Sequence, residues 1–116
     1  RERREGVGVN ISSESVGEAL VVRMEGNLDT NTSETAHEFL NKSIDDGAST
    51  VVVSLDAVDF VSSAGLRILL AVGKQLGASG GSLRICGLNE TVSEIFEISG
   101  FSTILSVFES EADALA

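Results

Sequence analysis

The chain has no tryptophan or tyrosine, one cysteine and one histidine among its 116 residues. Each scarcity removes a class of function. Eighteen acidic residues against eight basic ones leave a net charge of −10. A field of that sign repels phosphate backbones, and without Trp or Tyr there is little on which bases could stack. No nucleic-acid partner is expected. One cysteine closes no internal disulfide, and Cys86 lies in an apolar, strand-like segment where it reads as a small buried hydrophobe. That usage fits a cytosolic compartment. The longest apolar run, Ile68–Val72, has five residues, whereas a membrane span needs about 20, so no membrane insertion is expected. The opening "RERREG" is charged and no apolar stretch follows it, unlike a secretory signal. Arg1 stands where Met would start a primary product, which fits a processed start or a domain cut from a longer protein.

What is present suits one domain with a real core, since 42% of the residues are hydrophobic. Residues 1–6 are expected as a flexible N-terminal segment and 7–116 as the domain. Val7, Val9 and Ile11 alternate with polar or small residues, and Leu20, Val22 and Met24 do the same. With "SESVGE" between them as a turn, the pair reads as an antiparallel hairpin. "GNLDTNTSE" (Gly26–Glu34) is a loop opening an amphipathic helix that carries Ala36, Phe39, Leu40 and Ile44. Asn31 and Glu34 have capping-box spacing, and Asp29, Thr30 or Thr32 could equally serve as the cap. "TVVVSL" (Thr50–Leu55) is apolar on both faces, the mark of a strand covered on both sides. Leu66, Leu69, Leu70, Gly73 and Leu76 then define one face of a second helix. Leu83, Ile85 and Cys86 predict a further strand, Asn89 caps a third helix that "SGF" (Ser99–Phe101) breaks, Ile104–Val107 form a last strand and Glu109–Leu115 a terminal helix. This order predicts an α/β fold: a mixed β-sheet with an opening antiparallel hairpin and about four α-helices.

Several chemistries lack their parts. His37 is the only histidine, it sits mid-helix as a solvated residue, and no Gly-x-Ser-x-Gly elbow occurs, which removes serine hydrolysis. One Cys and one His offer no metal-ligand spacing, and the glycines of "GASGGS" lack the Lys-Ser/Thr of a phosphate loop. No metal, cofactor or catalytic residue is expected. A phosphorelay receiver would need an acidic pair after the first strand and a Lys near the end; Val9-Asn10-Ile11 supplies no such pair and no Lys follows Lys74.

The stretch "FVSSAGLR" (Phe60–Arg67) sets two hydroxyls, Ser62 and Ser63, where a buried strand turns into a helix. In such sheets, functional loops gather at the carboxyl ends of the parallel strands. A helix start favours negative charge, and Arg67, four residues beyond Ser63, lies on the same face and could reach a phosphate there. Ala64 and Gly65 read as small residues that let a partner approach. The residues alone leave two readings of the serine pair open, helix cap and phosphate acceptor.

Two motifs carry a resemblance. Gly26, Leu28 and Asp29 form a Gly-x-Leu-Asp turn, and Phe60, Ser63, Gly65 and Leu66 follow an apolar strand in the order seen in STAS domains of the anti-sigma factor antagonist family. The third-helix region "CGLNETVSEIFEISGF" is similar as well, so the likeness runs from about Val7 to Ala116. It implies a STAS fold in a cytoplasmic bacterial switch protein with no catalysis of its own. The unphosphorylated domain would bind an anti-sigma factor that is also a serine kinase, releasing a sigma factor for transcription. The kinase would phosphorylate Ser63 and break the complex, and a PP2C-type phosphatase would restore it. Asp29, Thr30, Ser62, Ser63, Ala64, Gly65 and Arg67 would make up the partner-facing surface, with a helix-cap role as the other reading of Asp29. Many members carry Asp before the acceptor where this chain has Ser62, which makes Ser62 the alternative acceptor; Ser63 is the one that aligns. The other use the resemblance allows is a constitutive interaction domain of a transporter, scaffold or lipid-transport complex.

Overall fold

Alternating apolar residues put one side of each central strand into a common core, and the chain lays those strands down in sequence order. The computed structural model describes residues 2–6, 9–100 and 105–116, with side chains for 10–100 and 105–116. Six strands form one sheet: β1 (Glu2–Gly6), β2 (Val9–Val16), β3 (Ala19–Leu28), β4 (Thr50–Val61), β5 (Ser82–Cys86) and β6 (Ser106–Phe108). β1, β2 and β3 pair antiparallel; β3 to β6 pair parallel. The helices α1 (Ser33–Asp45), α2 (Ser63–Ala78), α3 (Glu90–Ser99) and α4 (Glu111–Leu115) each follow one of the last four strands.

The two faces of the sheet are covered unequally. Val22 and Met24 of β3, Val51, Val53 and Leu55 of β4 and Ile85 of β5 share one core with Phe39 and Leu40 of α1, Leu69, Val72 and Leu76 of α2 and Phe96 of α3. The other face has a small cluster, Val21, Val52 and Cys86, closed by Ala114 of α4. Cys86 is fully buried, and burial pushes its thiol pKa up, in keeping with a packing role.

The short α4 is held from the sheet by arginines. Arg23 on β3 donates through Nε and Nη2 to the two carboxylate oxygens of Glu111, both at 2.9 Å, and through Nη1 to Glu14 at 2.8 Å. Arg84 Nη1 donates to the Ala114 carbonyl at 2.6 Å. The fork of hydrogen bonds from Arg23 holds the Glu111 carboxyl below the usual glutamate range. A carboxylate lowered on folding stabilises the fold above its unfolded pKa, and loses that contribution as pH falls through the folded value. Glu111→Gln should therefore melt below wild type at pH 7, with the gap closing as the pH is taken down towards 3. A gap that stays constant over that range would show that charge does not hold α4.

Four sequence-based boundaries move. Residues 1–6, expected as a flexible segment, contain β1, which pairs from Glu2 with Ser13 to Gly6 with Val9. The turn read over Ser13–Glu18 is only Gly17-Glu18, because Gly17 takes a φ of 61° and closes the hairpin in two residues. The capping-box pair Asn31 and Glu34 is not used; Thr32, one of the alternative caps, occupies the cap position of α1. β4 continues six residues past Leu55 to Val61. Its pairing with β3 skips one residue between Ser54 and Ala57 and another between Val58 and Phe60. Each bulge shifts the phase, so that Leu55, Val58 and Val61 all reach the core at intervals of three. A period of two cannot see that. Val7 of the first expected strand, Phe101 of the helix break and Ile104 of the last strand lie outside the described residues.

Candidate functional site

The carboxyl ends of β3 and β4 lie side by side, which brings the two sequence motifs together. Leu28 pairs with Val61, and the Ser62 N–H donates to the Leu28 carbonyl at 2.8 Å. One residue further along each strand stand Asp29 and the start of α2.

At that start the two serines divide the work. Ser62 is in the extended region (φ −82°, ψ 173°) and its Oγ accepts from the Gly65 N–H at 3.3 Å, which makes it the N-cap. Ser63 is the first helical residue and is exposed, and its hydroxyl makes no hydrogen bond to another described residue. Arg67 is exposed one turn further along, and Ala64 is half-buried. α2 has no acidic residue in its first turn, whereas α1 has Glu34, α3 has Glu90 and α4 has Glu111 and Asp113. Negative charge added at Ser63 would complement a dipole that no side chain of that turn balances.

The Asp29 loop is organised by its own side chains. Asp29 Oδ1 accepts from the N–H groups of Asn31 (2.9 Å) and Thr32 (3.1 Å), while Thr32 Oγ accepts from the Asp29 N–H (2.9 Å) and donates to the Asn27 carbonyl (2.7 Å). This is an Asx-type turn that ties the end of β3 to α1. Asp29 is half-buried, and Thr30 and Asn31 at the tip are exposed.

Gly65 belongs elsewhere. It was expected on the partner face, yet it is buried, and a Cβ there would lie 2.7 Å from the Leu28 carbonyl oxygen and 2.9 Å from Leu28 Cγ. Its lack of a side chain lets α2 sit directly on the end of β3, so it serves packing. Phe60 is the residue that sequence reasoning credited only as part of a motif. The residue is 45% exposed two positions before the cap, where the second bulge turns it out of the core. The signal was available in Asp56 and Asp59, which break the apolar alternation just before it. Asn89 fixes the neighbouring helix: its Oδ1 caps α3 at the Val92 N–H (2.8 Å), and its Nδ2 donates to the Val58 carbonyl (3.0 Å).

Among the described residues, the main clefts lie away from Asp29, Ser62 and Ser63. An open cleft of about 480 Å³ lies on the α4 face, lined by Arg23, Ser54, Asp56 and Glu111 among others, and Arg23 is already held there by two carboxylates. Among the described residues no group of three or more His, Cys, Asp or Glu side chains could hold a metal ion, and no helix is long and apolar enough to cross a membrane. What this edge offers is a free hydroxyl, an aromatic ring, a cation and a structured loop on one lip of the sheet. That is equipment for binding another protein.

The STAS domain family model matches residues 10–114, and the chain belongs to that family. The Bordetella bronchiseptica protein BtrV, which carries the name of an anti-sigma factor antagonist, is 35% identical over 108 residues, spanning 93% of each chain. The anti-sigma F factor antagonist of Paenibacillus polymyxa is 30% identical over 97 residues, 83% of each chain. The crystal structure of an anti-sigma factor antagonist from Mycobacterium paratuberculosis shares the fold, with a TM-score of 0.86 at 22% identity, covering 92% of this chain and 91% of that one.

Proposed function

We propose that this protein is an anti-sigma factor antagonist: a phosphorylation-controlled binding module of the bacterial cytoplasm, with no catalysis of its own. Its partner is an anti-sigma factor that doubles as a serine kinase, and binding of the unmodified domain frees a sigma factor. The observation that carries this reading is the division between the serines, with Ser62 committed to the helix cap and Ser63 free and exposed beside the Asp29 loop. The relatives' names point the same way.

In the transfer, Ser63 Oγ bonds to the γ-phosphorus of ATP as the bond to the ADP oxygen breaks, and the hydroxyl proton passes to a base on the kinase. A PP2C-type phosphatase then uses water to cleave the phosphate ester, releasing inorganic phosphate and restoring the hydroxyl. The protein's own contribution is display. The cap fixes the backbone, and Asp29, Thr30, Ala64 and Arg67 form the surroundings that the kinase grips. The test is titration of wild type and Ser63→Asp against the candidate anti-sigma kinases of the source organism. Wild type should bind one of them, and Ser63→Asp should bind that kinase about tenfold more weakly or worse, as expected when an unpaired charge is buried in an interface built around a neutral hydroxyl. An unchanged dissociation constant would remove the switch.

A further inference from the structure

The acidity of this chain is spread unevenly. Of the four helices among the described residues, α2 alone contains no aspartate or glutamate, and it carries Arg67 and Lys74. Setting those two cations against the chain total of −10 leaves −12 for everything outside α2. Ser63, Arg67 and Lys74 follow one another at steps of four and seven residues, which keeps them within about 40° of one another around the helix and spreads them over roughly 16 Å of its length. All three are exposed, while Leu66, Leu69, Val72 and Leu76 bury the opposite side. Arg23 and Arg84 are engaged with Glu14, Glu111 and the Ala114 carbonyl; Arg67 and Lys74 make no ion pair with another described residue.

We infer that this stripe from Ser63 to Lys74 is a docking face for an acidic patch on the anti-sigma kinase, an inference that rests on the reading of Ser63 given above. A basic kinase surface would be drawn to the acidic remainder of the domain, away from the acceptor. An acidic surface is repelled there and finds attraction along α2. Long-range charge thereby favours an approach that brings the kinase onto Ser63. The same stripe gives the modification its force. A phosphate adds about −1.5 to −2 charge at pH 7, close to the total that Arg67 and Lys74 contribute, so a modified α2 has almost no net charge with which to hold an acidic partner.

Lys74 is the residue to test, because three turns separate it from the acceptor. The probe is the kinase that labels Ser63 of the wild-type chain from radiolabelled ATP. Lys74→Gln should weaken binding several-fold at about 0.05 M salt, with the difference shrinking towards 0.5 M as screening removes it. Lys74→Glu should weaken it further. Both variants should still take up phosphate at Ser63 when the kinase is saturating. Ala112→Glu makes the same charge change as Lys74→Gln on the exposed side of α4, across the sheet, and should leave affinity within about twofold. Wild-type affinity in Lys74→Glu, with Ser63 still labelled, would overturn the stripe and leave the switch standing. Equal weakening by Ala112→Glu would also overturn it, by showing that only total charge matters. If no kinase labels Ser63, both the stripe and the switch fall.

Discussion

Ser63→Ala should take up no phosphate from a kinase that labels the wild-type chain, whereas Ser62→Ala should still be labelled at Ser63 and should melt a few degrees lower. The two hydroxyls are neighbours in sequence but not in circumstance. Ser62 Oγ accepts from the Gly65 N–H, and removing that cap costs about 1 kcal/mol. The change leaves the acceptor in place. Ser63 has no such bond among the described residues, so its removal costs the fold little and deletes the group that is esterified. Phosphopeptide mapping separates the outcomes. Undiminished labelling of Ser63→Ala would move the acceptor to Ser62 or another residue, and the cap would then have to break during transfer.

Gly65→Ala and Gly77→Ala, two identical substitutions in one helix, should change stability in opposite directions. Exchanging Gly for Ala inside a helix gains roughly 0.5–1 kcal/mol, mostly by restricting the unfolded chain. At Gly77 nothing lies within 4 Å of the added methyl, so the gain stands. At Gly65 the methyl would sit 2.7 Å from the Leu28 carbonyl oxygen, a backbone atom that no rotamer change can move aside. Overpacking of that kind costs about 1–3 kcal/mol, which outweighs the gain. Gly65→Ala should therefore melt lower, and its Ser63 should be labelled more slowly because the start of α2 is pushed off β3. With neither Trp nor Tyr in the chain, the melts are best followed by far-ultraviolet circular dichroism. A stabilised Gly65→Ala would mean that α2 can lift from Leu28 at no cost.

Much of this architecture was legible from side-chain periodicity. The run at Thr50–Leu55 and the repeat of Leu66, Leu69 and Leu76 both mark faces that are in fact buried. Asn89 caps α3 as its position before the apolar set indicated. Where side-chain pattern does not decide the structure, the sequence misled. β1 is a charged segment held by backbone pairing with β2, which leaves no apolar signature. At α1 the sequence left several caps open, and Thr32, one of them, takes the position while Asp29 binds the loop from its other end. At the candidate site, Ser63 and the Asp29 loop stand at the adjoining ends of β4 and β3, but the motif could not distinguish a glycine that admits a partner from one that admits a strand. That distinction depends on Leu28, which is distant in sequence and adjacent in space.

The two single-residue insertions in β4 have a further consequence. They work as a counter: Val61 points inward, and the serines emerge at the rim, only because the segment from Asp56 to Phe60 has the length it has. Exchanging its exposed letters should leave the fold intact. Deleting one of them would rotate everything downstream by half a strand repeat, turning Val61 to water and carrying the acceptor hydroxyl off the rim.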